Sequence, residues 1–124
     1  MKLGAEIHWR NEDGWTALHE AAWQGRTGAA GALLDLGART EDGNNSGWTP
    51  LHAASLNGHV EVVQLLLDHG ARTEAQDKYG ETPLYLAAEG NRVSCVAALV
   101  RGGAEDTVSA GETAGTGHWA HMYL

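Results

Sequence analysis

Few residues in this chain of 124 are equipped for chemistry: seven histidines, the single cysteine Cys95, and sixteen acidic residues against eight basic ones. The stretch HEAAW, His19 to Trp23, comes nearest to a catalytic motif. It resembles the first half of HExxH, in which two histidines one helical turn apart hold zinc and the glutamate activates water. Its second ligand position is Trp23, whose indole N–H only donates and cannot bind a metal. His118 and His121 stand three residues apart with no helical pattern behind them, two ligands where a structural zinc site needs four. His59 and His69 read as polar residues at solvent-facing helix ends. Cys95 falls on the apolar stripe of a helix and reads as a small core residue. No phosphate-cradling loop of the GxxxxGK[ST] kind is present. The chain is therefore not expected to be an enzyme, and no cofactor or metal is expected.

The same polar-edged phrase recurs instead. GWTALHEAAWQGR begins at Gly14, GWTPLHAASLNGH at Gly47 and GETPLYLAAEGNR at Gly80, each 33 residues after the last. Self-similarity at a fixed period of this size means one supersecondary unit stacked on copies of itself. His19 and His52 occupy the same place in the phrase, where a structural hydrogen-bonding role outweighs ligation.

Each unit reads as two helices. In the middle copy Thr49 can cap a helix whose first position is Pro50, where a missing N–H costs nothing. Leu51, Ala53 and Ala54 give that helix a small-residue face, and Asn57 with Gly58 ends it, the glycine taking the left-handed conformation. A second helix from about Val60 to His69 carries Val62, Val63, Leu65, Leu66 and Leu67 at helical spacing. Gly70 stops it, and ARTEAQDKYG returns the chain to the next copy. In copy three Asn91 stands where Gly25 and Gly58 stand, and asparagine tolerates the left-handed turn next best. Tyr85 replaces His19 and His52, which breaks one link of the repeated pattern. Gly28 and Gly31 each weaken the second helix of copy one by up to about 1 kcal/mol relative to alanine.

TPLHAA at Thr49 to Ala54, the NGHVEVVQLLLDHGA that follows, and the 33-residue period resemble the ankyrin repeat, over roughly residues 1 to 106. The resemblance implies an all-α solenoid of helix-turn-helix units joined by extended loop or β-hairpin tips. Its units would be a partial leading repeat over 1–13, repeats at 14–46, 47–79 and 80–106, the last with an incomplete loop, and an irregular tail over 107–124. That pattern suggests a piece of a longer array, with Val96, Ala97, Leu99 and Val100 resembling an internal interface.

The resemblance also implies a function, because the family binds partner proteins through the concave surface formed by loop tips and first helices. Carried onto this chain, that surface comprises Glu12, Asp13, Trp15, Trp23 and Gln24 in copy one. It continues through Asn45, Ser46, Trp48, Leu56 and Asn57, and then Lys78, Tyr79, Glu81 and Glu89. Trp15 and Trp48 are expected side by side with Trp23 and Leu56 behind them, aromatic anchors rimmed by charge as in a binding hot spot. The plainer reading of Trp15 and Trp48 is packing over the neighbouring loop.

Composition bounds the partner. A formal net charge of -8 with no acidic block repels nucleic acid and anionic membranes. Any core must be thin, since the chain has 17 glycines and no phenylalanine. No run of apolar residues is long enough to span a bilayer, and the first residues lack the apolar stretch of a signal peptide. The expectation is a cytoplasmic or nuclear module acting as scaffold, adaptor or inhibitor, whose protein partner carries basic flanks. The alternative is a structural spacer with no ligand of its own.

Overall fold

The computed structural model describes residues 8–104. Its first helix, α1 (Ala17–Gln24), starts where it does because Thr16 is extended (φ -99°, ψ 173°) and its hydroxyl accepts the His19 N–H at 3.2 Å. Thr49 opens α3 (Pro50–Asn57) and Thr82 opens α5 (Pro83–Glu89) in the same way, each with proline in the first turn. Gly25 and Gly58 close the first two at φ 74° and 81°, and Asn91 makes the equivalent turn in the third at φ 59°. Only a residue tolerant of that conformation lets the chain reverse so sharply into a second helix.

The second helices are α2 (Thr27–Asp35), α4 (Val60–Asp68) and α6 (Val93–Leu99), followed by a π-helical turn over Val100–Ala104. Helix α4 ends one residue short of the expected His69, whose ring Nδ1 instead lies 3.0 Å from the Leu65 carbonyl. The six helices form two layers: α1 packs on α3 and α3 on α5, while α2 packs on α4 and α4 on α6. The core runs between the layers. Leu18, Leu51 and Leu84 come from the first layer, and Leu34, Val62, Val63, Leu66, Cys95 and Leu99 from the second. Ala21, Ala22, Ala53, Ala54 and Ala87 also line the core, and their small side chains let adjacent first-layer helices approach closely.

Beyond the helices, the described residues contain extended loops and no strand, with one isolated bridge between Arg10 and Thr16. Each loop is turned by a side chain absent from the sequence reading. The Oδ1 of Asn11 accepts the backbone N–H of Asp13 and of Trp15, each at 2.9 Å. Asn44 does the same for Ser46 and Trp48, and Asp77 for Tyr79 and Glu81. These turns, 33 residues apart, aim successive tips the same way. Backbone bonds then lace tip to tip, Asn45 N–H to the Asp13 carbonyl and Lys78 N–H to the Ser46 carbonyl, both at 2.8 Å.

Gly28 has no atom within 4 Å of where a Cβ would stand, and at Gly31 the nearest is Leu65 Cδ2 at an ordinary 3.7 Å. Neither glycine is required by space or by backbone conformation. Gly28→Ala is therefore expected to stabilise the fold by up to about 1 kcal/mol, raising the thermal midpoint by roughly 4–8 °C. Thermal unfolding followed by circular dichroism checks this; an unchanged midpoint would mean that α2 is not limited by its glycines.

Candidate functional site

The wall that carries the anticipated binding residues is built on two buried histidines. The Nδ1 of His19 accepts the Thr16 N–H at 3.1 Å and lies 2.8 Å from the Thr16 hydroxyl, so the ring proton sits on Nε2 and is donated to the Trp48 carbonyl at 2.6 Å. His52 repeats this with Thr49 at 3.0 Å and reaches the Glu81 carbonyl at 2.8 Å. Each ring thus closes its own helix cap and bonds the next unit. Burial lowers the pKa of both rings below the ordinary 6.5, outweighing the carbonyl acceptors that favour the cation. The third copy has only half the cap: Thr82 accepts the Tyr85 N–H at 3.1 Å, and Tyr85 is 38% exposed.

Against this wall lie the tryptophans. Trp15 tilts over His19 with ring centroids 4.9 Å apart, and Trp48 stacks on His52 at 6.1 Å. Trp23 was expected behind this pair. It instead joins them, meeting Trp15 edge-on at 6.0 Å (76°) and Trp48 at 6.1 Å (44°), because α1 delivers its last turn toward the neighbouring tip. The three rings form one aromatic surface, in which Trp15 and Trp48 are half-buried and Trp23 is 37% exposed.

Their edges are held differently. Trp48 Nε1 donates to Asp77 Oδ2 at 3.0 Å, and Asp77 is buried. Burial alone would raise the Asp77 pKa, but the backbone N–H groups of Glu81 and Tyr79 and this indole hold it below the usual range. Trp48 is therefore a brace between units as well as part of the surface, as the packing reading anticipates. Trp15 Nε1 donates to Glu20 Oε1 at 3.0 Å, and Gln24 Nε2 donates to Glu20 Oε2 at 2.7 Å.

The other anticipated residues divide between open surface and internal lacing. Glu12 and Asp13 have exposed side chains, but their carbonyls accept from Asn45, Glu12 from its Nδ2 at 2.9 Å. Ser46 is half-buried and binds the next tip through its carbonyl. Asn57 donates to the Trp23 carbonyl at 2.8 Å, and the Leu56 carbonyl accepts from Arg92 at 2.9 Å. Tyr79 is 70% exposed with Lys78 Nζ over its ring. Glu89 is exposed; Glu81 is half-buried beside Asp77, and partial desolvation together with that carboxylate raises its pKa.

Sequence reasoning left out Glu20 and Asp77. Glu20 lies one turn before Trp23 on the same helix, and that i, i+3 spacing was the available signal. His59 also differs from expectation: it is half-buried, its Nε2 lies 3.0 Å from the Trp23 carbonyl, and its ring covers Gly25, where a Cβ would collide with it. His69 is exposed as expected, and Cys95 is buried with its thiol pKa raised by that burial. His118, His121 and the whole 107–124 segment lie outside the described residues.

Two layers of capped helix pairs at a 33-residue period, laced through buried histidines, are matched by a family model for ankyrin repeats in three copies, over residues 1–77 and 37–110. The chain belongs to the ankyrin-repeat family. No curated protein matches it. Ankyrin repeats are in general protein–protein interaction modules, and no helix among the described residues is long and apolar enough to cross a membrane.

Two outcomes follow from the lacing of this ankyrin stack. Trp48→Phe strands the buried Asp77 oxygen and is expected to cost about 1–3 kcal/mol, whereas Trp23→Phe stays within about 0.5 kcal/mol; urea unfolding of both variants measures the difference. In acid, the unfolded chain takes up protons at His19 and His52 that the folded chain refuses. Stability is thus full above the unfolded value of 6.5 and falls as pH drops below it, by up to about 1.4 kcal/mol per pH unit for each ring. A urea midpoint that did not fall between pH 7.5 and 5.5 would contradict the buried neutral histidines.

Proposed function

We propose that this ankyrin-repeat chain is a protein-binding module that takes a segment of its partner onto the concave face, acting as a scaffold, adaptor or inhibitor. The carrying observation is Trp23. A large indole stands more than a third exposed on a helix whose opposite side is closely packed alanine, and it is continuous with Trp15 and Trp48. Exposed aromatic area of this kind, set among polar groups, marks an interaction surface. Trp, Tyr and Arg are also the residue types that dominate binding energy when desolvated.

The lower part of the face supports the same reading. Tyr79 adds a second exposed ring, and Glu12, Asp13, Glu81 and Glu89 supply acid around the aromatic centre, which favours a partner with basic flanks. Tip backbones already bonded to their neighbours present these side chains on a rigid base, so little conformational entropy is lost on binding.

The test compares proteins captured from a cell lysate by the wild-type chain and by Trp23→Ala, with far-UV circular dichroism confirming equal helicity. Trp23 is the better probe than Trp48, whose indole braces Asp77. Proteins retained by the wild type and lost by the variant support a concave-face site. An equal catch from both would overturn it.

A further inference from the structure

The aromatic centre has a feature that a merely hydrophobic surface would not need. Glu20 and Trp23 lie one helical turn apart on the same face of α1, which places their Cβ atoms about 5–6 Å from each other. The Glu20 carboxylate is exposed, yet fixed at both oxygens: Trp15 Nε1 holds Oε1 at 3.0 Å and Gln24 Nε2 holds Oε2 at 2.7 Å. Each oxygen has taken one neutral donor and keeps a further lone pair. Among the described residues no lysine, arginine or histidine forms an ion pair with Glu20, nor with Glu12, Asp13, Glu81 or Glu89. Arg10 and Arg39 pair with Asp42, Arg72 pairs with Glu74 and Lys78 lies over the Tyr79 ring, while Arg26 forms no ion pair among the described residues. The first unit thus presents an oriented carboxylate with no ion-pair partner next to a partly exposed indole.

We infer that Trp23 and Glu20 form a subsite for an arginine side chain of the bound protein segment, the guanidinium lying over the Trp23 ring and forking onto the Glu20 carboxylate. The inference rests on the concave-face reading above and specifies its chemistry. Arginine fits both halves. Its planar cation stacks on an indole, and its parallel N–H groups match the two oxygens of a carboxylate. Lysine offers a compact, more strongly hydrated charge that can satisfy one half but not both in the same pose. Trp15 has two parts: its ring walls one side of Trp23, and its indole N–H turns the carboxylate toward the ligand. Beyond the subsite, Glu12 and Asp13 at the first tip and Glu89 on α5 extend the negative field to which a basic segment is drawn.

The experiment selects binders to the full chain from a random dodecapeptide display library, with Trp23→Ala as the counter-target. Peptides bound only by the wild type are expected to share one fixed arginine. Replacing that arginine by citrulline, which keeps the shape and removes the charge, should weaken binding by about tenfold or more. Glu20→Gln, a substitution at an exposed position, should weaken the arginine peptide to a similar degree and leave the citrulline peptide nearly unaffected. Peptides that need Trp23 but carry no fixed arginine, or that bind equally well with citrulline, would overturn the arginine subsite while leaving the concave-face reading intact. A selection yielding no Trp23-dependent peptide would count against both.

Discussion

This stack depends on a neutral imidazole in each of its first two full units, buried between a threonine and the next unit's carbonyl. A short helix of eight residues gains little from its own hydrogen bonds, because nucleation is costly and the ends leave donors unsatisfied. His19 and His52 meet that cost locally by accepting the cap N–H of Thr16 and Thr49, and they use the remaining ring proton to tie the helix to its neighbour. The same ring therefore serves local and long-range structure. It does so in only one protonation state, since a proton on Nδ1 would set two donors face to face. The lowered pKa of both rings is the thermodynamic counterpart of that geometry.

The relay also explains why aromatic area ends up outside. The helices that carry the histidines touch each other through alanines, and that close approach leaves no depth in which an indole could be buried. Trp15 and Trp48 settle against the imidazoles at the rim, and Trp23, at the end of α1, lies against these two rings. A stack that packs on small residues must carry its large ones on its faces. In the third unit the matching positions are Glu81 and Glu89, so the groove grades from aromatic to acidic along its length.

Much of this was legible in the sequence. The 33-residue period, the threonine caps with their prolines, the glycine turns and the substitute Asn91 are local features, each dictated by backbone chemistry within a few residues. The aromatic cluster was legible only in membership. Its arrangement depends on contacts between units, and no periodicity says that Trp23 bridges its fellows. Glu20 was passed over because an acid on an exposed helix face is ordinarily just solvated; its meaning comes from the two donors that orient it. His59 was misjudged for a related reason. Its ring turns back onto the Trp23 carbonyl because Gly25 has no side chain to block it, a fact about the preceding unit.

The tryptophans share a surface but not an obligation. Trp48 is committed twice over, its carbonyl accepting from His19 and its indole donating to the buried Asp77. Its side chain carries the second of these bonds, so replacing it takes a donor away from Asp77. Trp23 has its backbone committed, since its carbonyl accepts from Asn57 and lies against the His59 ring, while its indole is free of any hydrogen-bonding duty in the lacing described above. Unit-to-unit stability at this point thus runs through main-chain atoms that any residue would supply. The side chain is left to be chosen for what it presents outward. A module that must hold its fold while its surface changes needs this separation, and Trp23, beside the oriented Glu20, is where this chain shows it most clearly.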